Sequence, residues 1–369
     1  MSRKMFLTIS ILITVLAAYI LFFSGLMPKK TRVVFVIDDE KVLMDLCDDF
    51  NRKNSDIKLD VVVKRHYEAE DYIASGRGDI WMPSDASELI YVANYLSDRG
   101  YQMYGRFTKI AFTPMIFVSS RERYAYTSEM SLKELYNNIV EKTPWHDING
   151  KTGWGEFKFE CPRPDLYETG SNCVALFMHH YFMSNNDPKE KIGIREISNE
   201  GANEYIKPLL SNMIMKSHYG NSFLFDSFED PDRPRVDMCV TFEHIFLSTA
   251  EYDARYWARV RVHYPDELTI SKPVHLVAMS KSLGNAKKAE AIKRFEDYML
   301  SDEVQLKLLD LGYRPAKTTE ATEAALAELE SKYLDYGFRV ELPELRESVD
   351  YAFLQQLQDT IKEYIPREY

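Results

Sequence analysis

From residue 32 onward, short apolar runs alternate with segments whose apolar positions recur every three or four residues. Residues 32–38 (RVVFVID) form a continuous apolar run that ends in acids. Residues 40–51 then set Val42, Leu43, Leu46, Cys47 and Phe50 at helical spacing. Residues 57–63 predict a second strand and 67–75 a helix stopped by Gly76-Arg77-Gly78. A short buried strand over 79–82 and an amphipathic helix over 86–96 follow. A βαβαβα opening of this kind predicts a mainly parallel sheet with helices on its faces.

Two longer β-rich stretches, 108–119 and 272–280, are each long enough to pass between two lobes. Between them lies a second alternating set: strand-like 157–160, helical 172–183 and 203–215, and strand-like 235–241. The remainder, over 286–311, 319–336 and 349–364, reads as helix, and no internal repeat is present. The pattern predicts an interrupted first lobe with a second lobe inserted into it. Lobe 1 is expected over 31–112 and 275–369 and lobe 2 over 113–274, with a hinge where the chain crosses near 108–120 and 265–280.

Residues 5–27 carry no charge, and 27 − 5 + 1 gives 23 positions. As a helix rising about 1.5 Å per residue, they suffice to cross a hydrocarbon core of about 30 Å. No small-x-small cleavage site follows, and no Cys stands at the junction for a lipid. Residues 1–30 are therefore read as an uncleaved signal anchor with one transmembrane helix, a cleaved signal peptide being the competing reading. Arg3 and Lys4 on one side face Lys29, Lys30 and Arg32 on the other, so charge leaves the orientation open.

The chain holds 46 Lys+Arg against 57 Asp+Glu, a net 46 − 57 = −11, which speaks against a nucleic-acid partner. Its four cysteines include the near pair Cys161 and Cys173, compatible with a disulfide in an exported domain or with buried thiols. No Cys/His spacing suggests zinc, and no G-x-S-x-G, Walker A, H-E-x-x-H, G-x-G-x-x-G or EF-hand motif occurs. His179 and His180 are adjacent on a helix and diverge by about 100°, which suits no shared metal. The reading is accordingly no enzyme, no cofactor and no metal; a hydrolase would need an acid pair placed across a cleft.

Two segments read as binding elements. In Asp79-Ile-Trp-Met-Pro-Ser-Asp85 a strand ends just before a helix, where Ser84 or Asp85 serves either as a cap or as a ligand contact. In Pro162–Ser171 the residues Thr169, Gly170 and Ser171 stand at a helix start, where N–H groups and hydroxyls suit an anion or a polar oxygen.

With this layout, six stretches in order resemble the type 2 periplasmic solute-binding proteins of ABC transporters, over roughly residues 32–316. They are Gly78–Asp85, Phe112–Val118, Pro164–Leu176, Thr241-Phe-Glu-His244, Val262–Asp266 with Lys272-Pro-Val274, and Glu303–Ala316. The resemblance is nearest to the molybdate/sulfate-like branch and to solute-binding modules that occur with von Willebrand A-type domains. It implies a two-lobed α/β periplasmic-binding-protein type 2 fold with a hinge, tethered through residues 5–27, with its body on the periplasmic or extracellular side. It further implies a small-molecule or ion ligand held between the lobes, and an ABC permease or another membrane-complex subunit as partner. The ligand residues it implies are Asp39, Ser84 and Asp85 from lobe 1 and Thr169, Gly170, Ser171 and Glu243 from lobe 2. One departure is chemical: the first loop, Ile37-Asp38-Asp39-Glu40, is acidic where the family offers a Ser, which suits a cation, an amine or a peptide better than an oxyanion. The same fold used as a protein-binding, sensory or assembly module is the alternative.

Overall fold

The computed structural model describes residues 13–14, 30–37, 41–65, 67–84, 86–217, 220–228, 236–250 and 258–362. The expected anchor helix, Asp39 and Asp85 lie outside these, apart from residues 13–14. Among the described residues no helix is long and apolar enough to cross a membrane.

The first sheet is built as the apolar runs predict. β1 (Thr31–Ile37) pairs in parallel with β2 (Ile57–Val63) and with β3 (Ile80–Trp81). β3 then pairs antiparallel with β9 (Leu268–Met279), and β9 antiparallel with β4 (Tyr104–Ser120). Helices Lys41–Lys53 and Ala286–Met299 cover one face, where Phe295 meets Phe35 and Phe50 edge-on, each at 5.1 Å between ring centroids. Trp81, Ile73, Val92 and Met103 fill the other face.

β4 leaves this sheet and enters a second one. Beyond residue 114 it pairs antiparallel with β7 (Met238–Phe242) and β8 (Val260–His263). β7 pairs in parallel with β5 (Phe159–Pro162), and β5 with β6 (Ile214–Lys216). Helix Glu168–Ser184 runs through the core of this lobe; its residues 169–179 are buried without interruption, as expected of a helix apolar on all sides. All four cysteines are buried and unbridged; burial, followed by the hydrogen bond to Cys173, holds the Cys161 thiol well above its ordinary pKa.

The last part of the chain departs from the expected lobe assignment. β11 (Glu344–Glu347) adds in parallel to the Leu268–Ser271 end of β9, and Val349, Phe353, Leu357 and Ile361 join the lobe 2 core. Helix Tyr351–Ile361 thus belongs by its apolar stripe to lobe 2, although 275–369 was expected to complete lobe 1. Spacing four apart makes a buried helical face and says nothing of which lobe buries it. Two helices also end earlier than periodicity suggests. The helix from Ala86 stops at Tyr91 and passes into a π-helical turn, and the stretch 286–311 breaks after Met299 before restarting at Asp302.

Asp79 shows how lobe 1 is locked. Its buried carboxylate accepts hydrogen bonds from the Val34 N–H (2.8 Å) and the Ser282 hydroxyl (2.5 Å), and from the Lys288 ammonium at 2.7 and 2.9 Å. These contacts join β1 to the helices that follow β9. Asp79→Ala leaves a buried donor and an ammonium without their acceptor, and is expected to cost about 3 kcal/mol of stability, read from the urea midpoint.

Candidate functional site

The direction of the strands places the cleft. β4 runs from the first sheet into the second, and β3 shares its direction because both are antiparallel to β9. The carboxyl ends of β1 and β3 therefore point toward lobe 2. β7 is antiparallel to β4 and parallel to β5, so the carboxyl ends of both point back toward lobe 1. Ligands of parallel α/β sheets bind beyond carboxyl strand ends, and here two such sets face one another across the β4/β9 crossing. Trp81 at the end of β3 lies level with Phe107 of β4, both opposite Val277, and Phe242 at the end of β7 lies level with Met115. The span from Phe107 to Met115 is roughly 26 Å at about 3.3 Å per residue, wider than a helix of about 10–12 Å.

Ser84 stands in the loop after β3, where its N–H donates to Glu88 Oε2 at 3.1 Å. Thr169, Gly170 and Ser171 occupy the first turn of the helix after β5, and all three are buried. Gly170 is required there because a Cβ would lie 2.1 Å from the Pro162 carbonyl oxygen, so only glycine lets the helix start press against the end of β5. Ser171 Oγ donates to the Glu168 carbonyl at 3.0 Å. The topology thus brings Ser84 from one lobe and residues 169–171 from the other to facing strand ends, with the hydroxyl of Ser171 turned to its own helix.

Glu243 begins the helix after β7, and its carboxylate is held by Arg314. Arg314 Nε and Nη2 donate to its two oxygens, each at 2.8 Å, and the Tyr264 hydroxyl donates to the same carboxylate. Arg314 and Glu243 are 3% and 1% exposed, so this is a desolvated two-pronged ion pair. The remaining donors of Arg314 reach the carbonyls of Val340 and Arg339. Because β10 (Arg314–Pro315) pairs with β4 at Phe112 and Ala111, the bridge ties lobe 1's side of the hinge to a lobe 2 helix start. Both carboxylate oxygens of Glu243 are therefore committed to partners within the chain.

Around it lies a second set that sequence reasoning did not select. Lys272 of β9 pairs with Glu168 at 2.5 Å, and His244 stacks on Tyr313 with centroids 4.6 Å apart. The His244 N–H donates to Thr113 Oγ1 at 3.1 Å, and its Nδ1 lies 3.2 Å from the same oxygen. Burial first, and then the Lys272 charge, pushes His244 down to about 3; burial and Arg339 do the same for His263, also to about 3. The signal for Arg314 was present: two stretches that carry the family resemblance, at 241–244 and 303–316, meet in this ion pair. Among the described residues no group of three or more His, Cys, Asp or Glu could hold a metal ion.

No protein-family model matches the chain, and no curated protein matches it. Solved structures do share its fold. Iron-bound HitA from Pseudomonas aeruginosa superposes with a TM-score of 0.55 at 10% identity, over 90% of this chain and 99% of that one. The GacH receptor of Streptomyces glaucescens, solved unliganded and with acarbose, gives 0.55 at 14% identity over 91% and 94%. Thiaminase I from Bacillus thiaminolyticus gives 0.57 at 13% identity over 90% and 98%. The chain thus has the two-lobed α/β fold of the type 2 periplasmic binding proteins, a fold that serves solute receptors and at least one enzyme.

Two outcomes are expected of this site. Arg314→Ala leaves Glu243 buried and uncompensated, and should lower unfolding free energy by about 3–5 kcal/mol in urea titration. His244 and His263, held neutral in the folded state, bind protons only once unfolded between about pH 6.5 and about 3. Their contribution is complete above about pH 6.5 and is lost progressively as pH falls through that window. Stability measured at pH 5 is expected to lie below that at pH 7.5 by about 2 kcal/mol per histidine, and His263→Phe should remove one such share.

Proposed function

We propose that the chain is a membrane-anchored extracytoplasmic solute-binding protein, held through residues 5–27 and serving an ABC-type importer. The observation that carries this reading is the pair of opposed carboxyl strand ends across the β4/β9 hinge. Ligand contacting both lobes binds the closed form better than the open one, and its capture is that difference in affinity. Ser84, Asp85 and Asp39 are assigned to the lobe 1 wall and Thr169 to Ser171 to the lobe 2 wall. Order of motifs favours the molybdate/sulfate-like or von Willebrand-associated branch. The acids after β1 instead favour a cation, an amine or a peptide as cargo. HitA and GacH, which share the fold, were solved with iron and with acarbose, so both classes belong in a ligand screen.

A second reading, a protein-binding or assembly module on the same fold, is favoured by one observation. The C-terminal segment lies against helix Glu168–Ser184 and against helix Ala86–Tyr91 on the other lobe.

Thermal unfolding of the full chain in mild detergent separates the two. Ferric citrate, polyamines, amino acids, oligosaccharides and oxyanions are added singly. A true ligand at 100 times its Kd adds about 2.7 kcal/mol and raises Tm visibly. A hit weakened by Ser84→Ala is the expected result; silence from a folded protein across the whole panel would sink the solute reading.

A further inference from the structure

Residues 344–361 are placed as a ligand would be. Four apolar side chains, Val349, Phe353, Leu357 and Ile361, are each 3% exposed or less within the lobe 2 core. The Val349 N–H donates to Asn172 Oδ1 at 2.9 Å, and Asn172 follows directly on Thr169–Ser171. Gln358 Nε2 donates to the Asp165 carbonyl at 2.8 Å, in the loop that joins β5 to the same helix. The root of the segment is bolted down as well, since Arg314 takes the carbonyls of Arg339 and Val340.

Its other side reaches lobe 1 by different chemistry. Helix Tyr351–Ile361 packs on helix Ala86–Tyr91, which begins just past Ser84. There the Gln355 amide meets the Tyr95 hydroxyl at 2.8–3.0 Å, in an exposed pair. Four buried apolar groups and two hydrogen bonds on the lobe 2 side, against an exposed polar pair on the lobe 1 side, make an asymmetric bridge. Separating the lobes breaks the polar side first, because an exposed hydrogen bond exchanges readily with water while four buried apolar groups do not.

We propose that the cleft is a binding site for an amphipathic helix and that its resident ligand is the chain's own segment 344–361. The segment travels with lobe 2 and latches lobe 1 through Gln355 and Tyr95. This deepens the solute-binding reading and rests on its placing of the ligand site in the cleft. Solute and segment then compete, and any external ligand binds only in the fraction of molecules whose latch is open.

The test needs no solute. The native thiols are all buried, so cysteines placed at exposed Lys58 and Glu204 can be spin-labelled on the full chain, one on each lobe. Pulsed electron paramagnetic resonance should give one narrow distance in the otherwise wild-type protein. With Gln355→Ala and Tyr95→Ala together, a longer component should appear. An unchanged distribution overturns the latch. In parallel, a synthetic peptide of residues 344–362 is titrated by fluorescence anisotropy. The displaced-arm variant Leu357→Asp should bind it at least about tenfold more tightly than wild type does, because its site is vacated. Equal or absent binding in both proteins overturns the resident-ligand assignment. If Leu357→Asp does not fold, the distance measurement alone still decides. A latch that opens as expected beside a silent solute screen removes importer function and leaves the peptide site. A solute hit with an unchanged distance distribution removes the latch and leaves the receptor.

Discussion

Two antiparallel strands, β4 and β9, belong to both lobes, and the geometry of the molecule follows from that sharing. A strand that serves two sheets fixes the direction of every strand paired to it. The carboxyl ends of β1, β3, β5 and β7 must then meet across the hinge, whatever the loops contain. The Glu243–Arg314 bridge sits beside this crossing, since Arg314 pairs with Phe112 of β4. Taking two charges out of water is costly, and the pair is tolerated because the guanidinium fork matches both carboxylate oxygens while Tyr264 and two carbonyls take up the remaining capacity.

Several groups that look like ligand donors are already committed within the chain. Asp79 holds Val34, Ser282 and Lys288; Glu168 pairs with Lys272; Asn172 holds the arm at Val349. These groups are satisfied within the chain. The contact of the arm with lobe 1 is of another kind, an exposed pair between Gln355 and Tyr95.

Much of the fold is legible in the sequence. Strands buried on both faces read as continuous apolar runs, which is why residues 32–38 and 79–82 could be placed; 57–63 begins with the alternation of a half-buried strand, and helices with one apolar face show their period. The two-lobe layout was legible too, because a strand of the length of β4 exceeds what one small sheet needs. Of the candidate site, the positions of Ser84 and Thr169–Ser171 near strand ends could be placed, since position in a parallel sheet follows from the order of elements. The partner of Glu243 could not, because an acid at a strand end is the same letter whatever distant residue meets it, here an arginine 71 positions further on.

What the sequence by itself determined is therefore what local period and order carry: strands, helices, the two-lobed α/β layout and the loops at strand ends. What only the tertiary structure decided is partnership. It assigned Arg314 to Glu243, Lys272 to Glu168, and helix Tyr351–Ile361 to lobe 2 with a foothold on lobe 1. The physical reason is one of range. A backbone repeat of two or 3.6 residues is written into neighbouring positions, whereas burial of a stripe or a charge depends on which distant surface arrives to cover it.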